Sequence, residues 1–332
     1  MTAVDNSGQR PLAAISLDLD DKWSYMRTRG DARWKELPSY LDVAVPRILD
    51  FLRAKGLPIT FFIVGVDAAR AQNGDLLRGI VQEGHELGNH SYHHEPWLQR
   101  YPREAITQEV LRAHEELLRV TGAAPEGFRG PGFSWSAALI EVLAKAGYLY
   151  DASSLPTVLA PLARLYFLSK STLQKEERQL RDGLFGSFRD GLRPVEAHYL
   201  GLNGHRLMEI PVTTIPGLRI PFHLSYLMYL ARRSRPLMRT YLELALSLCR
   251  TTATRPSFLL HPLDFLDKGD APELAFFPAM EMPWQDKIEV AGEALDRLAA
   301  RFELLPMGTF ARSIARSGTL PVVRMANGGH AQ

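Results

Sequence analysis

Short β-rich apolar runs alternate with longer segments of helical periodicity along most of this chain, the sign of βα units feeding a parallel sheet. From residue 13 onward Ile15, Leu17 and Leu19 alternate with Ser16, Asp18 and Asp20. That period of two predicts a strand over 13–19 which delivers carboxylates at its C-terminal end. The pattern then predicts a helix over 40–55, a strand over 59–64, a helix ending near Glu83 and a short strand over 86–89. A helix over 103–120 follows, with Thr121 and Gly122 as its stop signal. Beyond it come a strand over 127–129, a helix over 137–146 closed by Gly147, and a strand over 148–151. Later strands are expected over 208–213, 257–260 and 302–306, with a helix over 286–300 between the last two.

About eight βα-type units without a Gly, Ser or Pro linker between them favour one α/β domain, a distorted (β/α) barrel of about seven to eight strands. An open doubly wound sheet is the alternative. The domain is expected to run over 12–317, between a polar tail at 1–11 and a loose tail at 318–332. Regularity breaks in two stretches, about 156–207 and 216–256, which read as helical insertions over one end of the barrel, with helical patterns around 161–189 and 224–250.

The charge balance narrows the function. With 39 Lys and Arg against 37 Asp and Glu, the formal net charge is +2, which leaves no global basic footprint for nucleic acid. The single cysteine, Cys249, can form no intrachain disulfide and reads as an inert, partly buried thiol rather than a nucleophile. The polar first eleven residues and the aspartates in the next apolar stretch offer no secretory core, and the run over 222–231 is about half the length of a bilayer span. The expectation is therefore a cytoplasmic protein.

Five polar clusters fall at predicted strand ends, where a barrel assembles its active site. The first is Asp18-Leu19-Asp20-Asp21. Adjacent carboxylates at a strand exit can divide labour between binding a cation and acting as a base, or can simply be solvated acids. The second runs from His90 to His94. Its histidines at i and i+4 can converge on one metal ion, whereas His93 points elsewhere and His85 reads as structural. The third is Arg129-Gly130-Pro131-Gly132, a sharp turn that frees a guanidinium to grip a carboxylate. Asp151 and His261 complete the set.

Taken in order, Asp20-Asp21, His90-x-x-x-His94, Arg129-x-Pro131, Asp151 and His261 resemble the polysaccharide deacetylase family, carbohydrate esterase family four, also called the NodB-homology domain. The resemblance implies one divalent metal, usually zinc, held by Asp21, His90 and His94. It implies Asp20 as general base, Arg129 as the group orienting it, His261 as general acid and Asp151 as the partner holding His261. The residues around the third turn, Pro131, Gly132, Phe133 and Trp135, are expected to line the substrate.

The implied reaction removes an N-acyl group, acetyl or formyl, from an amino sugar. Residues 217–250 carry six arginines and one acid, Glu243, among Phe222, Tyr226, Met228 and Tyr229. Such a segment suits an anionic membrane face or a lipid-phosphate carrier, so the sugar is expected to be carrier-linked and the enzyme peripheral to the inner membrane face. The competing reading of the segment is a helix packed on the barrel with its arginines in solvent. A soluble oligosaccharide or small amide is the enzymatic alternative, and an inactive carbohydrate-binding barrel the non-enzymatic one.

Overall fold

The computed structural model describes residues 10–159, 190–318 and 320–325; the helical pattern expected around 161–189 lies outside the described residues. Strand β1, Leu12–Leu19, is buried along nearly its whole length because it is central. It pairs in parallel with β2, Thr60–Ile63, with β8, Ser257–Leu260, and with β9, Glu303–Pro306. From β2 the sheet continues in parallel through β3, Glu86–Asn89, β4, Gly127–Phe128, and β5, Tyr150–Asp151, to β7, His205–Glu209.

The fold is α/β with a mostly parallel sheet, as expected, and its ladder is open. What brings it close to a barrel is the chain leaving β7. Thr213 donates its backbone N–H to Ser257 O at 3.1 Å, and Ser257 N–H donates to Thr213 Oγ1 at 2.8 Å. This pair of bonds bridges the gap between β7 and β8.

Two features depart from the sequence reading. β6, His198–Leu202, forms an antiparallel hairpin with β7 across Asn203 and Gly204, both with positive φ; Asn-Gly is the turn pair that this geometry favours. The tail expected to be loose from residue 318 instead supplies β10, Val322–Arg324, parallel to β6. The unpaired edge of a hairpin is a template for another strand, and the tail takes it.

Helices cover the outer face: α1, Lys22–Arg29, α2, Leu41–Lys55, α3, Gly65–Ala69, α4, Gly74–Gln82, α5, Arg103–Thr121, and α6, Ala137–Lys145. The insertion contributes α7, Leu224–Arg233, and α8, Arg235–Thr251. α9, Trp284–Ala299, completes the layer, whereas α10, Met307–Ser317, buries Met307, Phe310, Ala311 and Ile314 in one cluster with Phe62 and Tyr150. Among the described residues no helix is long and apolar enough to cross a membrane.

The odd residues of β1, Ala13 to Leu19, pack in the large outer core with α2 and α8, whereas Ala14 shares the inner cluster with Phe62, Tyr150, Met208 and Met307. Rings fill that inner space only because two neighbouring positions lack side chains. A Cβ on Gly88 would lie 2.3 Å from Phe62 Cδ1, and one on Gly127 would lie 1.9 Å from Tyr150 Cζ. Glu86 closes the bottom by accepting the backbone N–H groups of Gly308 and Thr309 in the first turn of α10, as a carboxylate at a helix N-terminus does.

Candidate active site

Register brings the polar clusters to one end. Leu19 pairs with Ile63, Ile63 with Asn89, Asn89 with Phe128, Phe128 with Asp151, and Asp151 with Glu209. The residues just past that row therefore face a common space.

Asp20, His90 and His94 each place one ligand atom within 4.8 Å of the others, and all three are buried. Asp20 Oδ1 stands 3.2 Å from His90 Nε2 and 2.9 Å from His94 Nε2. Asp20 Oδ1 and His94 Nε2 nevertheless have no hydrogen-bond partner. Buried polar atoms aimed at one point and left without partners fit a cation. His90 Nδ1 is 2.6 Å from Arg129 O; donating its proton there fixes the tautomer that leaves Nε2 free as a ligand. Burial by itself would raise the Asp20 carboxyl, but His94 and His90 hold it well below the usual carboxylate range.

The ligand set corrects the sequence expectation by one residue. Asp21 was the expected ligand and Asp20 the expected base. Strand β1 ends at Leu19, so Asp20 still continues the inner face of Ser16 and Asp18, while Asp21 turns away to cap α1. Asp21 Oδ1 accepts from Lys22 N at 2.7 Å and Tyr40 N at 3.0 Å. Burial pushes its carboxyl up to about 6.

Arg129 grips Asp18 rather than Asp20. Its Nη1 lies 2.5 Å from Asp18 Oδ1 and 3.0 Å from Ser16 Oγ, its Nε donates to Ala152 O, and its guanidinium sits 4.2 Å above the Phe62 ring. The side chain has 0% exposure, so this ion pair is desolvated and held by several bonds at once.

Asp151 does not reach His261 in any hydrogen bond. Its Oδ1 accepts from Ser153 Oγ at 2.6 Å, and it shares a hydrogen bond with the facing Glu209. Burial, then the Asp151 charge, push Glu209 well above the carboxyl range. His261 Nδ1 instead meets Ser225 Oγ at 3.1 Å, and the His261 backbone N–H donates to Asp264 at 2.9 Å.

Pro131, Gly132 and Phe133 form a 3-10 turn after β4, with Gly132 against Pro96 in the His94 loop. Trp135 lies under Arg193 at 3.6 Å. His85 accepts from Ile59 N and His93 pairs with Glu109; neither joins the cluster.

Sequence reasoning missed three residues here. Tyr25 on α1 donates its hydroxyl to Asp20. His223 meets His261 edge-to-face with ring centroids 5.9 Å apart, and burial, then the nearby His261 and Arg129 charges, push its imidazole down to about 3. Ser225 is the third. The only sequence signal was their place in segments rich in aromatic residues.

Residues 20–150 match the model of the polysaccharide deacetylase family. This part of the chain is similar to that family. It is 35% identical over 86 residues to a peptidoglycan-N-acetylglucosamine deacetylase of Bacillus cereus, covering 26% of this chain and 30% of that protein. It is 31% identical over 121 residues to a peptidoglycan deacetylase of Helicobacter pylori, covering 36% and 40%. A chitooligosaccharide deacetylase of Bradyrhizobium sp. is 35% identical over 103 residues, covering 31% and 46%. The matches thus span less than half the length of these curated relatives. A solved structure from Mycobacterium smegmatis, named by inference as a polysaccharide deacetylase, superposes with a TM-score of 0.60 at 18% identity, covering 96% of this chain and 95% of that one; at that identity the likeness speaks for the fold alone.

Proposed function

We propose that this protein is a metal-dependent hydrolase that removes an N-acyl group, acetyl or formyl, from an amino sugar. The observation that carries the reading is the convergence of Asp20, His90 and His94, with partnerless ligand atoms on Asp20 and His94, beside an Asp18 anchored by Arg129. The curated relatives, named for peptidoglycan and chitooligosaccharide deacetylation, supply the substrate class.

Asp20, His90 and His94 would hold a divalent cation, zinc by their mixed N and O donors, and when bound it would polarise the acyl carbonyl and lower the pKa of water. Asp18 then takes the proton from the attacking water, and Arg129 orients it for that task. The water oxygen bonds to the acyl carbon and the C–N bond breaks. His261 gives a proton to the departing nitrogen, which is too basic to leave as an amide anion. The products are a free amine and a small carboxylic acid.

The carrier expected from the basic segment has weaker electrostatic support than its composition suggested. Arg235 pairs with Glu289, Arg239 pairs with Glu293, and Arg219 donates to the carbonyls of Gly191 and Arg193. Leu224, Leu227, Met228 and Ala231 bury the apolar face of α7. The uncarried sugar is therefore the reading we favour.

The test is release of acetate or formate from N-acylated chitooligosaccharide and peptidoglycan fragments, with elemental analysis of the same preparation. Wild-type protein should carry about one divalent ion and lose turnover on chelation. Turnover that survives complete metal removal would overturn the proposal.

A further inference from the structure

The insertion contributes α7 to the active-site end, and its first turn carries Ser225 between His261 and Asp264. We propose that Ser225 is a positioning residue that links the imidazole of His261 to the buried carboxylate of Asp264. The inference rests on His261 acting as the proton donor of the proposed deacylation.

The geometry is specific. Ser225 Oγ lies 3.1 Å from His261 Nδ1, and its side chain also hydrogen-bonds Asp264. Asp264 is 2% exposed and accepts the His261 backbone N–H at 2.9 Å. A protonated imidazole has two donors and no acceptor. Its Nδ1–H must therefore donate to Ser225 Oγ, which leaves the serine O–H to donate to the Asp264 carboxylate. The negative charge thus reaches the imidazolium through one hydroxyl, and Nε2–H stays free to face the leaving nitrogen.

Both ends of this chain of bonds are fixed. Ser225 is held because the buried face of α7 fixes the helix it starts. Asp264 is held by a turn whose carbonyls at Leu263 and Leu266 accept from the buried Lys287 ammonium; burial raises its carboxyl, and the His261 charge, the Ser225 hydrogen bond and the Lys287 charge act against that rise. The other titratable groups facing this cluster are His223, edge-to-face with His261 and with Tyr226, and Tyr25, whose hydroxyl feels Asp264. Asp151, to which the family resemblance assigned this duty, makes its bonds to Ser153 and Glu209 instead.

The experiment compares wild type, Ser225→Ala and Ser225→Thr in the full chain on an N-acetylated chitooligosaccharide and on 4-nitrophenyl acetate. Ser225→Ala should lower kcat on the amide about 10- to 100-fold, leave KM within about twofold, and leave ester turnover within about twofold because that leaving group needs no protonation. Ser225→Thr should restore most of the amide rate. Equal losses on both substrates, or no loss on either, would overturn the proposal. A second readout does not depend on turnover. The ¹⁵N resonance of His261 Nδ1 should shift in Ser225→Ala relative to wild type, and an unmoved resonance would also overturn it. Wild-type protein inert on both substrates would instead sink the deacylase reading, with the resonance still deciding the hydrogen bond.

Discussion

Three aspartates within four residues, Asp18, Asp20 and Asp21, should respond to amide substitution in three distinct ways. Asp20→Asn removes the only anionic ligand and leaves two neutral imidazoles with a weak amide oxygen. Outer-sphere changes already weaken metal binding 10- to 100-fold, so loss of a direct ligand should cost at least about 100-fold, roughly 2.7 kcal/mol. Asp18→Asn leaves the ligands untouched and should retain metal, while turnover falls about 10²- to 10⁴-fold with the loss of the base. It also leaves the fully buried Arg129 cation without its counter-charge, a loss of about 3–5 kcal/mol in stability. Asp21→Asn keeps an acceptor oxygen for Lys22 N and Tyr40 N and should keep both metal and most of the stability. Elemental analysis after gel filtration, acetate release and denaturant unfolding on the three variants separate these outcomes. Metal lost from Asp21→Asn but retained by Asp20→Asn would refute the assignment and return the ligand role to Asp21.

Other substitutions probe the scaffold. Burial holds Lys287 near 8 rather than 10.5, so the unfolded chain binds its proton more tightly and stability should rise as pH goes from about 8 to 10.5, by up to about 3 kcal/mol at 1.36 kcal/mol per unit. Denaturant unfolding of wild type against Lys287→Met across that window should show the rise only in wild type; identical slopes would contradict it. Gly127→Ala puts a methyl 1.9 Å from the buried Tyr150 ring and should cost about 1–3 kcal/mol or more. A Tyr150→Ala background should recover part of that loss, and a Gly127→Ala variant as stable as wild type would show that the ring is free to move.

What local pattern encodes was legible without coordinates. The alternation in β1, the apolar faces of α2 and α5, and the glycine stops are short-range properties, so periodicity recovered them. His90 and His94 were readable for the same reason, since four residues separate them and a single loop brings them together. Choosing among the aspartates was a different problem. Period two puts Asp18 and Asp20 on one face, but only the point where the strand stops and α1 begins decides that Asp21 leaves it, and that point is set by the Tyr40 backbone N–H, nineteen residues away, donating to the Asp21 carboxylate. The partner of His261 lay further out of reach. Ser225 is 36 positions away, on a helix whose place depends on its apolar face finding the core. Arg235 and Arg239 of the insertion looked like free charge because their acids, Glu289 and Glu293, lie 54 residues downstream on α9. Period and spacing thus specified which chemistry the chain carries, while side-chain pairing across the packed helices and sheet decided which residue performs each part, because those contacts form only when distant segments share one surface.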